Sequence, residues 1–287
     1  MSEPLSRRID AGEVSLAVHE WGGDGPPVLL AHPTGFHGRV WAPIAERLIA
    51  RGRTVFSFDF RGHGDSDAPD LDYSWHGFAD DVLAVTEHFG LVGDPTLLAV
   101  GHSKGGAALV LGEAARPRTY ARLWLYEPII FPSLEAMPPN QDFSMAQSAR
   151  RRRNVWASQD EAFASYSSKP PLNVMTEASL RAYVDYGLRD RGDGVFELKC
   201  SPDVEAQTYT MGPNHGAFAR LVDVHPPTLV VCGEHTKSIP PDVARMIAER
   251  LPHGDVEVMA GVGHFGPQED PDRAVESMLR FAPATAT

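Results

Sequence analysis

The segment Gly101-His102-Ser103-Lys104-Gly105 has the residue types and spacing for nucleophilic chemistry. It follows the apolar run Thr96-Leu97-Leu98-Ala99-Val100 and precedes Ala107-Ala108-Leu109-Val110-Leu111. That context predicts a strand, a sharp bend and a helix. A serine on such a bend sits on a strained turn with its hydroxyl exposed. The flanking glycines let strand and helix approach without a Cβ between them. The chemistry is attack on a carbonyl carbon, for which a serine needs a base within hydrogen-bond reach. His264, in Gly261-Val262-Gly263-His264-Phe265 after the last predicted strand, is the candidate base.

These residues need a frame. Residues 13–21 alternate polar and apolar, as an edge strand would. Pro27 to His32 and Thr54 to Asp59 read as short buried strands, and Trp41 to Ile49 and Phe78 to Phe89 as helices. Strand 96–102, helix 105–116 and strand Leu123 to Glu127 follow. From 132 to 221 the rhythm becomes helical, with no convincing buried strand. It resumes with strand 228–232, helix 241–251, strand 255–259 and a helix over about 269–281. Alternating strands and helices predict the α/β class with a mostly parallel sheet. The expected organisation is a core of 1–131 and 222–287 with a helical cap, 132–221, over the strand ends where ligands bind.

Across nearly its full length the chain resembles a cap-bearing serine hydrolase of the α/β-hydrolase superfamily. The matching residues are Ala31-His32-Pro33-Thr34-Gly35 with Trp41, Asp59-Phe60-Arg61-Gly62-His63-Gly64-Asp65-Ser66, the serine bend, and Gly261 to Phe265. The resemblance implies Ser103 as nucleophile, His264 as general base and a carboxylate that holds the imidazole in its working tautomer. In most of the superfamily that acid lies about three residues beyond a glycine after the strand here at 228–232. This chain has Gly233-Glu234-His235-Thr236, and a threonine cannot serve. Glu127, where some members carry the acid, and Glu234 are the alternatives, with Asp242 behind them. The implied oxyanion hole uses the backbone N–H groups of Lys104 and, because Pro33 has no N–H, Thr34.

Lys104 either points its charge at the base or folds its head away to solvent or a carboxylate, the second being favoured. His63 and His102 read as structural groups around the bend, and His19, His88 and His253 as surface residues. In the insertion, Met145, Trp156, Phe163, Tyr166, Tyr183 and Tyr186 suggest a mainly apolar pocket roof. The run Arg150-Arg151-Arg152-Arg153 could receive an anionic substrate but reads first as a solvated helix face.

The chain has 287 residues, 43% hydrophobic and 22% charged, enough for a sizeable core. A net charge of −12 argues against nucleic acid or an anionic membrane as partner. Cys200 and Cys232 are too few for a disulfide framework, and no Cys/His spacing suggests zinc. The start lacks a signal-like apolar run and nothing is long enough to span a bilayer, so a cytoplasmic location is expected. The Gly-rich segments lack nucleotide-binding spacing, and no cofactor is expected. The expected partner is a small, mainly apolar ester or lactone hydrolysed through an acyl-enzyme, while a homo-oligomer stays open. Carbon–carbon bond hydrolysis or cofactor-free perhydrolysis by the same serine and histidine is the alternative, and a non-catalytic ligand cup the third reading.

Overall fold

A computed structural model of the chain describes residues 3–69, 73–132, 141–212 and 215–283. The first half contains strands β1 (Leu5–Asp10), β2 (Ser15–Gly22), β3 (Pro27–Ala31) and β4 (Thr54–Phe58), with helix α1 (Ala42–Ile49) before β4. Helix α2 (Trp75–His88), strand β5 (Leu98–His102), helix α3 (Lys104–Ala115) and strand β6 (Arg122–Tyr126) follow. The intervening segment holds α4 (Gln141–Arg150), β7 (Val155–Trp156), α5 (Gln159–Ser167), α6 (Glu177–Gly187), β8 (Leu188–Asp190), β9 (Phe196–Leu198), α7 (Pro202–Thr210) and α8 (Ala217–Arg220). The chain closes with β10 (Thr228–Gly233), α9 (Pro241–Arg250), β11 (Gly254–Met259), α10 (Gly266–Glu269) and α11 (Pro271–Phe281).

Eight strands form one sheet in the order β1-β2-β4-β3-β5-β6-β10-β11. From β4 to β11 neighbouring strands are parallel, and β1 and β2 add an antiparallel edge. This is the α/β-hydrolase architecture. Strands β3, β5 and β10 are buried along their whole length, as continuous apolar runs are when helices cover both sheet faces. One face packs on α2, α3 and α9 through Phe78, Val82, Leu109 and Ile247. The other packs on α1 and α11 through Ile44, Leu48, Val275 and Met278.

Three expectations need correction. Residues 15–22 are not the edge, because β1 lies outside them. In β1 only Ile9 is buried, so its polar sequence carried no alternation to read. His19, expected at the surface, is 1% exposed and bonds Ser6 Oγ at 2.9 Å through Nδ1. The segment 141–212 is not purely helical. Its three short strands pair antiparallel in the order β7-β9-β8, each too brief to show a period. Residues 133–140 of the expected cap lie outside the described residues. Among the described residues, no helix is long and apolar enough to cross a membrane.

The close approach of β5 and α3 constrains the centre of the sheet. A Cβ on Gly101 would come within 2.6 Å of Gly106 Cα, and one on Gly105 within 2.7 Å of the Ala31 carbonyl carbon. Backbone cannot yield as a flexible side chain can. Gly105→Ala is therefore expected to destabilise the fold by about 3 kcal/mol, read as a lower urea midpoint with an unchanged slope.

Candidate active site

Ser103 joins β5 to α3 with φ 54° and ψ −115°, outside the relaxed regions for an L-residue. Its amide donates to the Tyr126 carbonyl at 2.9 Å, and its own carbonyl accepts from Gly106 and Ala107 at 3.1 and 3.2 Å. The turn is thus tied to the neighbouring strand and to the first turn of α3. Ser103, Lys104, Pro33, Thr34 and His264 line one cavity of about 340 Å³. Its remaining wall includes Phe36, Trp75, Ile129, Phe131, Phe265 and, from the intervening segment, Met145, Pro171 and Tyr209.

The loop carrying Thr34 is fixed from beneath. His32 accepts the Phe60 N–H on Nε2 at 3.0 Å, while Nδ1 faces the Pro33 carbonyl at 2.8 Å. Burial and the Lys104 charge hold His32 well below the usual imidazole range, in keeping with a neutral ring. Asp59 accepts from Gly38 N at 2.6 Å and from Asp65 N at 2.7 Å, joining this loop to Asp59–Ser66. Burial opposes its charge, but His19 and His37 hold its carboxyl well below the carboxylate range.

His264 follows β11 in a loop clamped at three points. Glu269 accepts from Gly263 N at 3.0 Å and Phe265 N at 3.1 Å, and Tyr126 donates to the Gly263 carbonyl at 2.5 Å. His264 Nδ1 lies 2.6 Å from Glu127 Oε2. Facing a carboxylate, Nδ1 carries the hydrogen and Nε2 keeps its lone pair. Glu127 is fully buried, one residue past β6, with φ 43°. Its Oε1 accepts from Gly233 N at 3.0 Å, and its Oε2 also accepts from Thr236 Oγ1 at 2.6 Å. Thr236, which stands where an acid was expected, thus supports the carboxylate beside it. Glu234 points elsewhere. Its side chain is 53% exposed, accepts from Gly261 N at 2.9 Å and lies 4.0 Å from His235.

Lys104 departs from both sequence readings. Its side chain is buried and, among the described residues, has no carboxylate as ion-pair partner. Nζ lies 3.3 Å from His63 Nε2 and stands over the rings of Phe60 at 4.2 Å and Phe78 at 4.5 Å. Burial pushes its pKa down to about 7. The His102 ring is buried edge-on against His264, with centroids 5.0 Å apart. Burial, with the His264 charge adding to it, holds His102 well below the imidazole range. The arginine run is corrected too. Arg152 is not solvated but turns into a second cavity with Tyr166 and Tyr183. Among the described residues, no group of three or more His, Cys, Asp or Glu could hold a metal ion.

A strained serine at a strand–helix bend in a parallel sheet, sharing a cavity with a carboxylate-bound histidine, is the arrangement of an α/β hydrolase. Residues 28–277 match the model of the alpha/beta hydrolase family, and the chain belongs to that family. It is 26% identical over 281 residues to 2-(acetamidomethylene)succinate hydrolase of Mesorhizobium japonicum, covering 98% of this chain and 96% of that protein. The crystal structure of E-2-(acetamidomethylene)succinate hydrolase superposes with a TM-score of 0.84 at 22% identity, over 97% of this chain and 99% of the other. The enol-lactonase of Burkholderia xenovorans gives 0.72 at 20% identity, over 96% and 99%.

Two outcomes follow from this geometry. Thr236→Val, which leaves Glu127 one donor short, is expected to cost about 1 kcal/mol of stability, measured by urea denaturation. Lys104 binds fewer protons folded than unfolded between its folded value of about 7 and its ordinary 10.5. Its contribution to stability therefore rises with pH through that window and is flat below it. Lys104→Met is expected to be the more stable protein at pH 7. It should also lack up to about 1.4 kcal/mol per pH unit of the wild-type slope above pH 7, read from denaturation midpoints at pH 6 to 10.

Proposed function

We propose that the protein is a serine hydrolase acting on the acyl bond of a small ester- or lactone-like molecule. Ser103 Oγ attacks the carbonyl carbon while its proton passes to His264 Nε2. Glu127 holds the imidazole through Nδ1–H and stabilises the imidazolium that forms. The oxyanion is met by the backbone N–H groups of Thr34 and Lys104, a contribution typically worth about 3 kcal/mol per donor. His264 returns the proton to the leaving oxygen, and the carbonyl–oxygen bond breaks to leave the acyl-enzyme. A water molecule, deprotonated by the same Nε2, then releases the acid and restores the Ser103 hydroxyl. The segment 141–212 acts as a lid, since Met145, Pro171 and Tyr209 form part of the wall facing Ser103. The substrate is a small molecule, with no nucleic acid or membrane partner, and the compartment is the cytoplasm.

The observation that carries this reading is the 2.6 Å hydrogen bond between His264 Nδ1 and the fully buried Glu127, in a histidine that shares its cavity with Ser103. The names of the relatives, a hydrolase of a succinate derivative and an enol-lactonase, support hydrolysis of a small molecule.

A fluorophosphonate probe tests it. Wild type is expected to label and Ser103→Ala not to. Glu127→Gln is expected to slow labelling and ester turnover by roughly 10³–10⁴-fold, while Glu234→Gln matches wild type. Labelling that persists in Ser103→Ala, or a folded Glu127→Gln with wild-type rates, contradicts the assignment.

A further inference from the structure

The second cavity, about 450 Å³, adjoins the one holding Ser103 and shares Phe36, Met145, Pro171, Tyr209 and Phe265 with it. Its charged wall residues are Arg152, Lys169 and Glu205. Arg152 lies just beyond α4 and is only 16% exposed in its side chain, whereas Arg150, Arg151 and Arg153 are exposed. Its guanidinium donates to Glu205 Oε2 at 2.5 Å, to the Tyr166 hydroxyl at 3.2 Å and to the Tyr183 hydroxyl. The Tyr166 and Tyr183 rings lie 5.7 and 5.9 Å from its central carbon.

A guanidinium taken out of water is costly unless a charge compensates it. Glu205 supplies one such charge here, and its Oε1 packs so closely on Gly35 that a Cβ there would come within 2.5 Å. The pair therefore braces the loop that leads from Thr34 to Phe36. Two cations against one anion still leave this wall positive by one, in a chain whose net charge is −12. A guanidinium has five N–H donors in a planar fork, and three serve Glu205, Tyr166 and Tyr183 here.

We infer that this second cavity is a carboxylate subsite, in which Arg152 and Lys169 bind an acid group that the substrate carries away from its scissile carbonyl. The inference rests on the serine-hydrolase reading only for the position of that carbonyl. Charge-assisted hydrogen bonds from a pre-positioned guanidinium give both affinity and orientation. The shared aromatic wall suits the short carbon chain between the two ends. Substrates are then half-acids rather than purely apolar esters.

The test separates binding from chemistry. Ser103→Ala protein is titrated calorimetrically with glutarate and with dimethyl glutarate. Glutarate is expected to bind saturably and its diester at least about tenfold more weakly. In the same background Lys169→Met, an exposed position, and the charge-neutral pair Arg152→Gln/Glu205→Gln are each expected to weaken glutarate binding severalfold or more. In protein with Ser103 intact, the kcat/KM ratio of p-nitrophenyl hemiglutarate to its methyl ester is expected to fall with the same substitutions. The subsite is refuted if glutarate does not bind, if the diester binds equally well, or if folded variants keep wild-type affinity and ratio. Binding that persists while Ser103 proves unreactive overturns the serine reading alone. A reactive Ser103 without glutarate binding overturns the subsite alone.

Discussion

Ser103 is held at positive φ between a strand and a helix that nearly touch. A strained residue of this kind costs roughly 1–3 kcal/mol and persists only where its surroundings over-determine it. They do so here. The Ser103 amide is bonded to Tyr126 in the next strand, and its carbonyl caps the first turn of α3. Helix α3 is buried from Lys104 through Ala114, so the core on that face locks the helix axis. Moving the serine would require moving the centre of the sheet. That rigidity gives the loops at the strand ends something to be organised around.

Glu127 illustrates the organisation. Strands β6 and β10 are hydrogen-bonded neighbours in parallel register, with Tyr126 opposite Val231. Their carboxyl ends therefore open side by side beneath the His264 loop. A carboxylate one residue past β6 and a residue three past the end of β10 can reach the same space, and Glu127 and Thr236 meet there at 2.6 Å. Two residues far apart along the chain thus meet in space because the sheet sets their strands side by side. Glu127 shares with Ser103 a positive φ, so both ends of this array lie on backbone held off its relaxed conformation.

Charge is handled differently beneath the Ser103 bend and in the adjoining second cavity. Beneath the bend, Lys104, His63 and His32 form a buried layer in which proximity and burial disfavour protonation of each group. His32 and His63 are held well below the imidazole range, and Lys104 is brought down to about 7. In the adjoining cavity, Arg152 is kept charged beside Glu205 and two phenols. The two adjoining cavities thus differ in lining, with charged side chains concentrated in the one away from Ser103, which a uniformly apolar roof would not give.

Much of this was legible in the sequence. The serine bend, the alternation of strands and helices, the change of rhythm at residue 132 and the histidine after the last strand are local patterns, fixed by backbone sterics and hydrophobic period. Ser103 and His264 stand out by their places after strand ends, and Thr34 and Lys104 are singled out by what the family resemblance implies. Other features depend on neighbours distant in sequence. The choice between Glu127 and Glu234 turns on β6 lying beside β10, a fact of strand order that no local spacing encodes. The inward turn of Arg152, alone among four consecutive arginines, is decided by Glu205, Tyr166 and Tyr183 on three other helices. The burial of Lys104 follows from Phe60, Phe78 and His63 gathering under α3. The sequence by itself determined which groups could react and which fold would hold them. Tertiary structure decided which carboxylate and which cations face them, because side-chain partners are chosen by packing across elements rather than along the chain.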